Sequence, residues 1–128
     1  MLVRGYHHVT HNVSRSNVEL ARRFYGGILG LAEIPAVEDP TGQRLIWYEL
    51  GSHQLHLVIR DESDAPSSRH IALFVDDFDL LIAELRKHEI RMDRFSGHDS
   101  WGSRRDGTRY TFCYDPDGNR IELVESKN

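Results

Sequence analysis

The 128-residue sequence predicts an α+β domain made from two like modules, each a strand, a helix, a weak strand and two strong strands. Three observations predict it. First, that order occurs twice along the chain, as a duplicated supersecondary unit would produce. Second, the opening strands align, H-V-T-H-N-V-S at 8–14 with H-I-A-L-F-V-D at 70–76, and so do the closing strands, L-H-L-V at 55–58 with I-E-L-V at 121–124. Third, the aliphatic residues of these four strands share one phase of the period-2 alternation, while His8, His56, His70 and Glu122 fall in the other. With each helix covering the aliphatic face of its own module, two sheets facing one another form a cup with helices outside and these four side chains within.

The elements follow in order. Tyr6 to Val13 alternates, with His7, Val9, His11 and Val13 on one face and His8, Thr10 and Asn12 on the other. Ser16 to Glu19 has the capping-box pattern of a helix start. Val18, Ala21, Phe24, Tyr25 and Ile28 continue it at helical spacing, and Gly26-Gly27 supplies a stop within a residue or two. Glu33 to Val37 is an edge strand at best, because Pro35 removes a ladder donor. Gln43–Leu50 and Gln54–Ile59 are strands joined by a turn at Gly51-Ser52. The polar run 61–69 reads as a linker, so module one spans about 5–60 and module two 70–126.

His70 to Val75 opens the second module, and Asp77 caps a helix carrying Phe78, Leu81, Ile82 and Leu85. Arg91 to Phe95 is a candidate short strand. Ser96 to Thr108 reads as a long polar loop with an exposed Trp101. Arg109 to Glu125 then forms a hairpin about Asp115-Pro116-Asp117-Gly118, where Pro116 presets φ and Gly118 permits a positive one.

Composition narrows the function. A net charge of −4 without a long basic block argues against nucleic acid or an acidic membrane surface as partner. No apolar run reaches the ~20 residues of a membrane span, and the N-terminus lacks the apolar region of a signal peptide. The single cysteine, Cys113, excludes an intrachain disulfide framework; a cytoplasmic location is expected. Three imidazoles and a carboxylate suit one divalent first-row ion, zinc, nickel, iron, manganese or cobalt. Arg44, Arg104, Arg105 and Arg109 are candidates to meet an anionic substrate. Trp47, Tyr48, Phe74, Tyr110, Phe112 and Tyr114 are candidates to line the cup. His7, His11, His53, His88 and His98 are assigned no chemistry.

The motifs H-H-V-T-H-N-V-S with R-F-Y-G-G-I-L-G-L, H-Q-L-H-L-V, H-I-A-L-F-V-D-D and Y-D-P-D-G-N-R-I-E-L-V-E, in this order, resemble the vicinal oxygen chelate superfamily. That group includes glyoxalase I, methylmalonyl-CoA epimerase, fosfomycin-resistance enzymes, bleomycin-resistance proteins and extradiol dioxygenases. The resemblance runs from Tyr6 to Glu125. It implies paired βαβββ modules making a half-open barrel about a divalent metal, a small-molecule substrate and a homodimer. Its ligand positions fall on His8, His56, His70 and Glu122. Glyoxalase I commonly has Glu, and the epimerase Gln, at the place of His56. The expected activity is that of a metal-dependent lyase or isomerase on a substrate with adjacent oxygens, with Glu122 as candidate base. Extradiol dioxygenase, thiol transferase and ligand-sequestering functions are the alternatives; the tyrosine that precedes the last ligand in ring-cleaving relatives falls near Phe112.

Overall fold

The computed structural model describes residues 1–36, 45–95 and 100–127. It divides into two compact units, Met1–Ala65 and Pro66–Asn128. In the first, β1 (His8–Ser14) leads into a helical segment, α1 (15–28), and then β2 (Glu33–Ile34), β3 (Leu45–Leu50) and β4 (His53–Arg60). In the second, β5 (His70–Val75) leads into α2 (Phe78–Lys87), β6 (Gly102–Ser103), β7 (Arg109–Tyr114) and β8 (Arg120–Glu125). Each unit is therefore β-α-β-β-β, and each sheet is mixed and four-stranded, in the orders β1-β4-β3-β2 and β5-β8-β7-β6. The α+β fold expected from the repeat is present.

The repeat extends to register. His8 pairs with Gln54 and Thr10 with His56 across the parallel β1–β4 ladder; His70 pairs with Arg120 and Ala72 with Glu122 across β5–β8. In both sheets the opening histidine lies two residues out of step with the candidate ligand on the closing strand. The antiparallel neighbours match as well, Trp47 opposite His56 and Phe112 opposite Glu122. Since one step of slippage would invert every side chain, this shared register keeps each pair on one face.

The opposite faces carry the cores. In unit one Val13, Ala21, Phe24, Tyr25, Ile46, Tyr48, Leu55 and Leu57 are buried. In unit two Phe78, Ile82, Leu85, Thr111, Cys113, Ile121 and Leu123 are buried. Tyr48 thus belongs to the core beside Tyr25 rather than among the site-lining aromatics. Its strand parity explains this: it pairs with Leu55, not His56.

The α1 segment departs from expectation. It begins as a 3-10 turn (Arg15–Asn17), becomes α-helical over Val18–Arg22 and widens to a π-helix over Arg23–Ile28. Ser16, read as the cap, lies inside the 3-10 turn, and the cap positions that form, Ser14 and Asn17, make no side-chain cap hydrogen bond, so the capping-box reading fails. The segment ends at Ile28, within a residue of the stop read at Gly26-Gly27. Gly30, at φ 78°, turns the chain out, after Leu29 N–H donates to Phe24 O at 2.9 Å. In α2 the Asp77 cap forms as read, accepting from Leu80 N at 3.1 Å.

Two further expectations are revised. The 91–95 stretch contributes only a bridge, Met92 to Cys113, while the short strand of this unit is β6, inside the stretch read as loop. Trp101 is half-buried, its ring edge-on to Phe78 at 6.4 Å. The hairpin turn is as read: Gly118 N–H donates to Asp115 O at 2.9 Å, Gly118 has φ 85°, and Asp115 Oδ1 accepts from the amides of Asp117 and Asn119.

Candidate metal centre

In unit one the imidazoles of His8 and His56 stack, centroids 4.0 Å apart and planes 17° apart. Trp47 covers the other face of His56 at 4.3 Å and 5°, so the three rings form one column. His8 is exposed, whereas His56 is 8% exposed. Burial, then the neighbouring His8 and His7, lower the His56 pKa to about 4, which keeps this imidazole neutral near pH 7. Its Nε2 lies 2.8 Å from Gln54 Oε1. A carbonyl oxygen can only accept, so Nε2 carries the proton and Nδ1 the lone pair. His8 Nδ1 meets His7 Nδ1 at 2.9 Å.

In unit two His70 Nδ1 is 3.1 Å from Ser68 O. The same reasoning makes Nδ1 the donor and leaves Nε2 basic, and Nε2 is 3.7 Å from Glu122 Oε1. A backbone carbonyl that fixes the far nitrogen of a histidine is a familiar support for a metal-binding imidazole. Donors sharing one ion through bonds of ~2.0–2.2 Å lie about 3–3.5 Å apart, so this spacing needs little adjustment. The Phe112 ring stands edge-on to His70 at 5.1 Å and walls the pair on its β7 side. Glu122 Oε2 accepts from Arg104 Nη2 at 2.6 Å, with the Glu122 side chain 11% exposed.

Each unit thus brings one predicted pair together on one sheet face. Within either unit taken alone, the described residues gather no three His, Cys, Asp or Glu side chains in a group able to hold a metal. Each pair offers donors of the chemistry a divalent ion takes: in unit two a basic His70 nitrogen faces one carboxylate oxygen, and in unit one the stacked His8 and His56 rings would have to turn for both to bind one ion.

Gln54 and Arg104 are the groups the sequence signalled least. Gln54 had a signal, the shared parity of His56. Arg104 was visible only as a cation; its pairing with Glu122 depends on the β6–β7 connection. Of the other arginines, Arg109 is committed to Glu125 at 2.6 Å and Asp79 at 2.7 Å, which makes it a tie between strand and helix rather than a substrate contact. Arg44 and His98 lie outside the described residues. Burial pushes the Cys113 thiol up to about 12, so it is an inert core residue, as expected.

The family model described as the Glyoxalase/Bleomycin resistance protein/Dioxygenase superfamily matches residues 5–123. Among solved structures, a glyoxalase-family protein from Bacillus anthracis is 28% identical over 99% of this chain and 98% of its own, with a TM-score of 0.80. A glyoxalase-family protein from Enterococcus faecalis is 28% identical over 98% of this chain and 100% of its own, at 0.74. The fosfomycin resistance protein FosX from Listeria monocytogenes, in a complex with Mn(II) and sulfate, shares the fold at 17% identity over 98% of this chain and 95% of its own, at 0.75. No curated protein matches the sequence. With the family model covering nearly the whole chain and the fold repeated in these structures, the chain belongs to the Glyoxalase/Bleomycin resistance protein/Dioxygenase superfamily.

Proposed function

We propose that the protein is a metal-dependent lyase or isomerase of the glyoxalase type, holding one divalent ion through His8, His56, His70 and Glu122. The observation that carries this reading is the common register: each sheet presents one pair of these residues, placed identically. When bound, the ion supplies Lewis acidity to a small substrate that chelates it through adjacent oxygens. The chain's own residues supply the rest. His56 stays neutral because of its burial and is held by Gln54 and Trp47. His70 is oriented by Ser68 O. Glu122 is the one carboxylate of the set and the candidate to take a proton α to a carbonyl. The Mn(II) complex of FosX shows that this fold accommodates a divalent ion in a relative.

Elemental analysis of protein purified without chelator tests the reading. The expected result is one equivalent of a first-row divalent ion per chain. Glu122→Gln should weaken its binding on the order of tenfold or more and abolish turnover. Protein that neither retains nor takes up such an ion would exclude the metal-dependent reading.

A further inference from the structure

We propose that Arg104 is a positioning residue that ties Glu122 Oε2 and so presents Oε1 alone as the metal-binding oxygen. This rests on the reading of Glu122 as a ligand. The two oxygens of this carboxylate are already divided: Oε1 faces His70 Nε2 at 3.7 Å, and Oε2 accepts from Arg104 Nη2 at 2.6 Å. A free carboxylate rotates about its terminal torsion and can chelate through both oxygens. One held through Oε2 by a charge-assisted hydrogen bond resists that rotation, and the negative charge on Oε2 is already shared with the guanidinium, which favours binding through Oε1.

The Arg104 side chain is 46% exposed, but the backbone that carries it is built into a closed turn. β6 and β7 form a short hairpin in which Gly102 pairs with Tyr110 and Ser103 with Arg109. Its turn is closed by Arg104 N–H to Thr108 O at 2.8 Å and Gly107 N–H to Arg104 O at 2.9 Å, with Gly107 at φ 83°. Lys127 Nζ donates to Asp106 O at 2.7 Å across the same turn. The guanidinium lies 4.8 Å above the Tyr110 ring. Phe95 packs edge-on to that ring at 5.4 Å. A Cβ at Gly102 would meet both Tyr110 and Phe95 at 3.0 Å, so the absence of a side chain there lets the hairpin close on Tyr110. An ordinary exposed ion pair has none of this support and contributes little.

The test is metal affinity, read without turnover. Co(II) is titrated into wild type, Arg104→Gln and Arg104→Lys in competition with a chromophoric chelator, with visible spectra of each complex. Arg104→Gln is expected to lose 10–100-fold in affinity, the usual consequence of removing the partner of a ligand. Its Co(II) absorption should change in position or intensity as the second carboxylate oxygen is released. Arg104→Lys, which keeps the charge and one donor, should recover part of both. Affinity in Arg104→Gln equal to or tighter than wild type overturns the proposal. Should that variant fail to fold, Arg104→Lys decides: an intermediate loss supports the role and wild-type affinity overturns it. Absence of Co(II) binding by wild type overturns the metal reading and this inference with it, whereas binding by wild type with unaltered variants overturns only the role of Arg104.

Discussion

At the scale of single residues, His56 shows how burial sets chemistry. Its neighbours on β4, Leu55 and Leu57, point into the core, yet His56 on the opposite face is nearly as buried because Trp47 and His8 sandwich it. A buried imidazole loses hydration when charged, so its pKa falls to about 4 from an ordinary value near 6.5. In the metal-free protein the sign is then fixed. Below pH 6.5 the unfolded chain takes up a proton that the folded chain refuses, so stability is full above 6.5 and is lost as pH falls toward about 4. The loss amounts to at most about 3 kcal/mol. Urea unfolding in a chelator should show this decline, and His56→Phe should flatten that part of the profile. The four candidate ligands were legible in the sequence because strand parity is a one-dimensional property. The partners Arg104 gained and the hydrogen bond Gln54 makes were not, since each depends on how a neighbouring turn or rotamer closes in space.

At the scale of elements, the strong strands and α2 were legible because periodicity and caps agreed: Asp77 caps, Phe78, Ile82 and Leu85 are buried, and the turn after Tyr114 closes on Asp115. α1 was legible as a helix but not as a π-helix, because apolar residues at three-to-four spacing do not distinguish the two; in the widened turn Tyr25 sits beside Tyr48 of β3. β6 was illegible, as two residues carry no periodicity. Two glycines separate these cases experimentally. A Cβ at Gly26 would rest at ordinary contact, 3.7 Å from Leu31 O and 3.8 Å from Tyr48. Gly26→Ala should therefore be neutral or stabilising by up to about 1 kcal/mol, through the unfolded chain and helix propensity. At Gly102 the same atom lies 3.0 Å from Phe95 and Tyr110, and Gly102→Ala should cost about 1–3 kcal/mol through overpacking. Urea midpoints with unchanged m-values measure both, and opposite signs are expected.

At the scale of the whole molecule, duplication divides the proposed ligands evenly, His8 and His56 in one unit and His70 and Glu122 in the other. Two donors alone make a weak site, and within each unit no third candidate joins its pair among the described residues. A single ion held by all four therefore predicts behaviour that two independent half-sites would not give. Binding only to the folded chain stabilises it by about 2.7 kcal/mol when free metal stands at 100 times Kd, and the thermal midpoint rises by several degrees. With one shared ion, His8→Ala and His70→Ala should each remove most of that rise, and the double variant should add little to either single one. With independent half-sites, each single variant would keep about half of the rise and the losses would add. Calorimetric scans of the four proteins, with and without the metal found by elemental analysis, distinguish the two. Strong non-additivity between residues in separate units is the expected outcome, and additive losses would assign each pair an ion of its own.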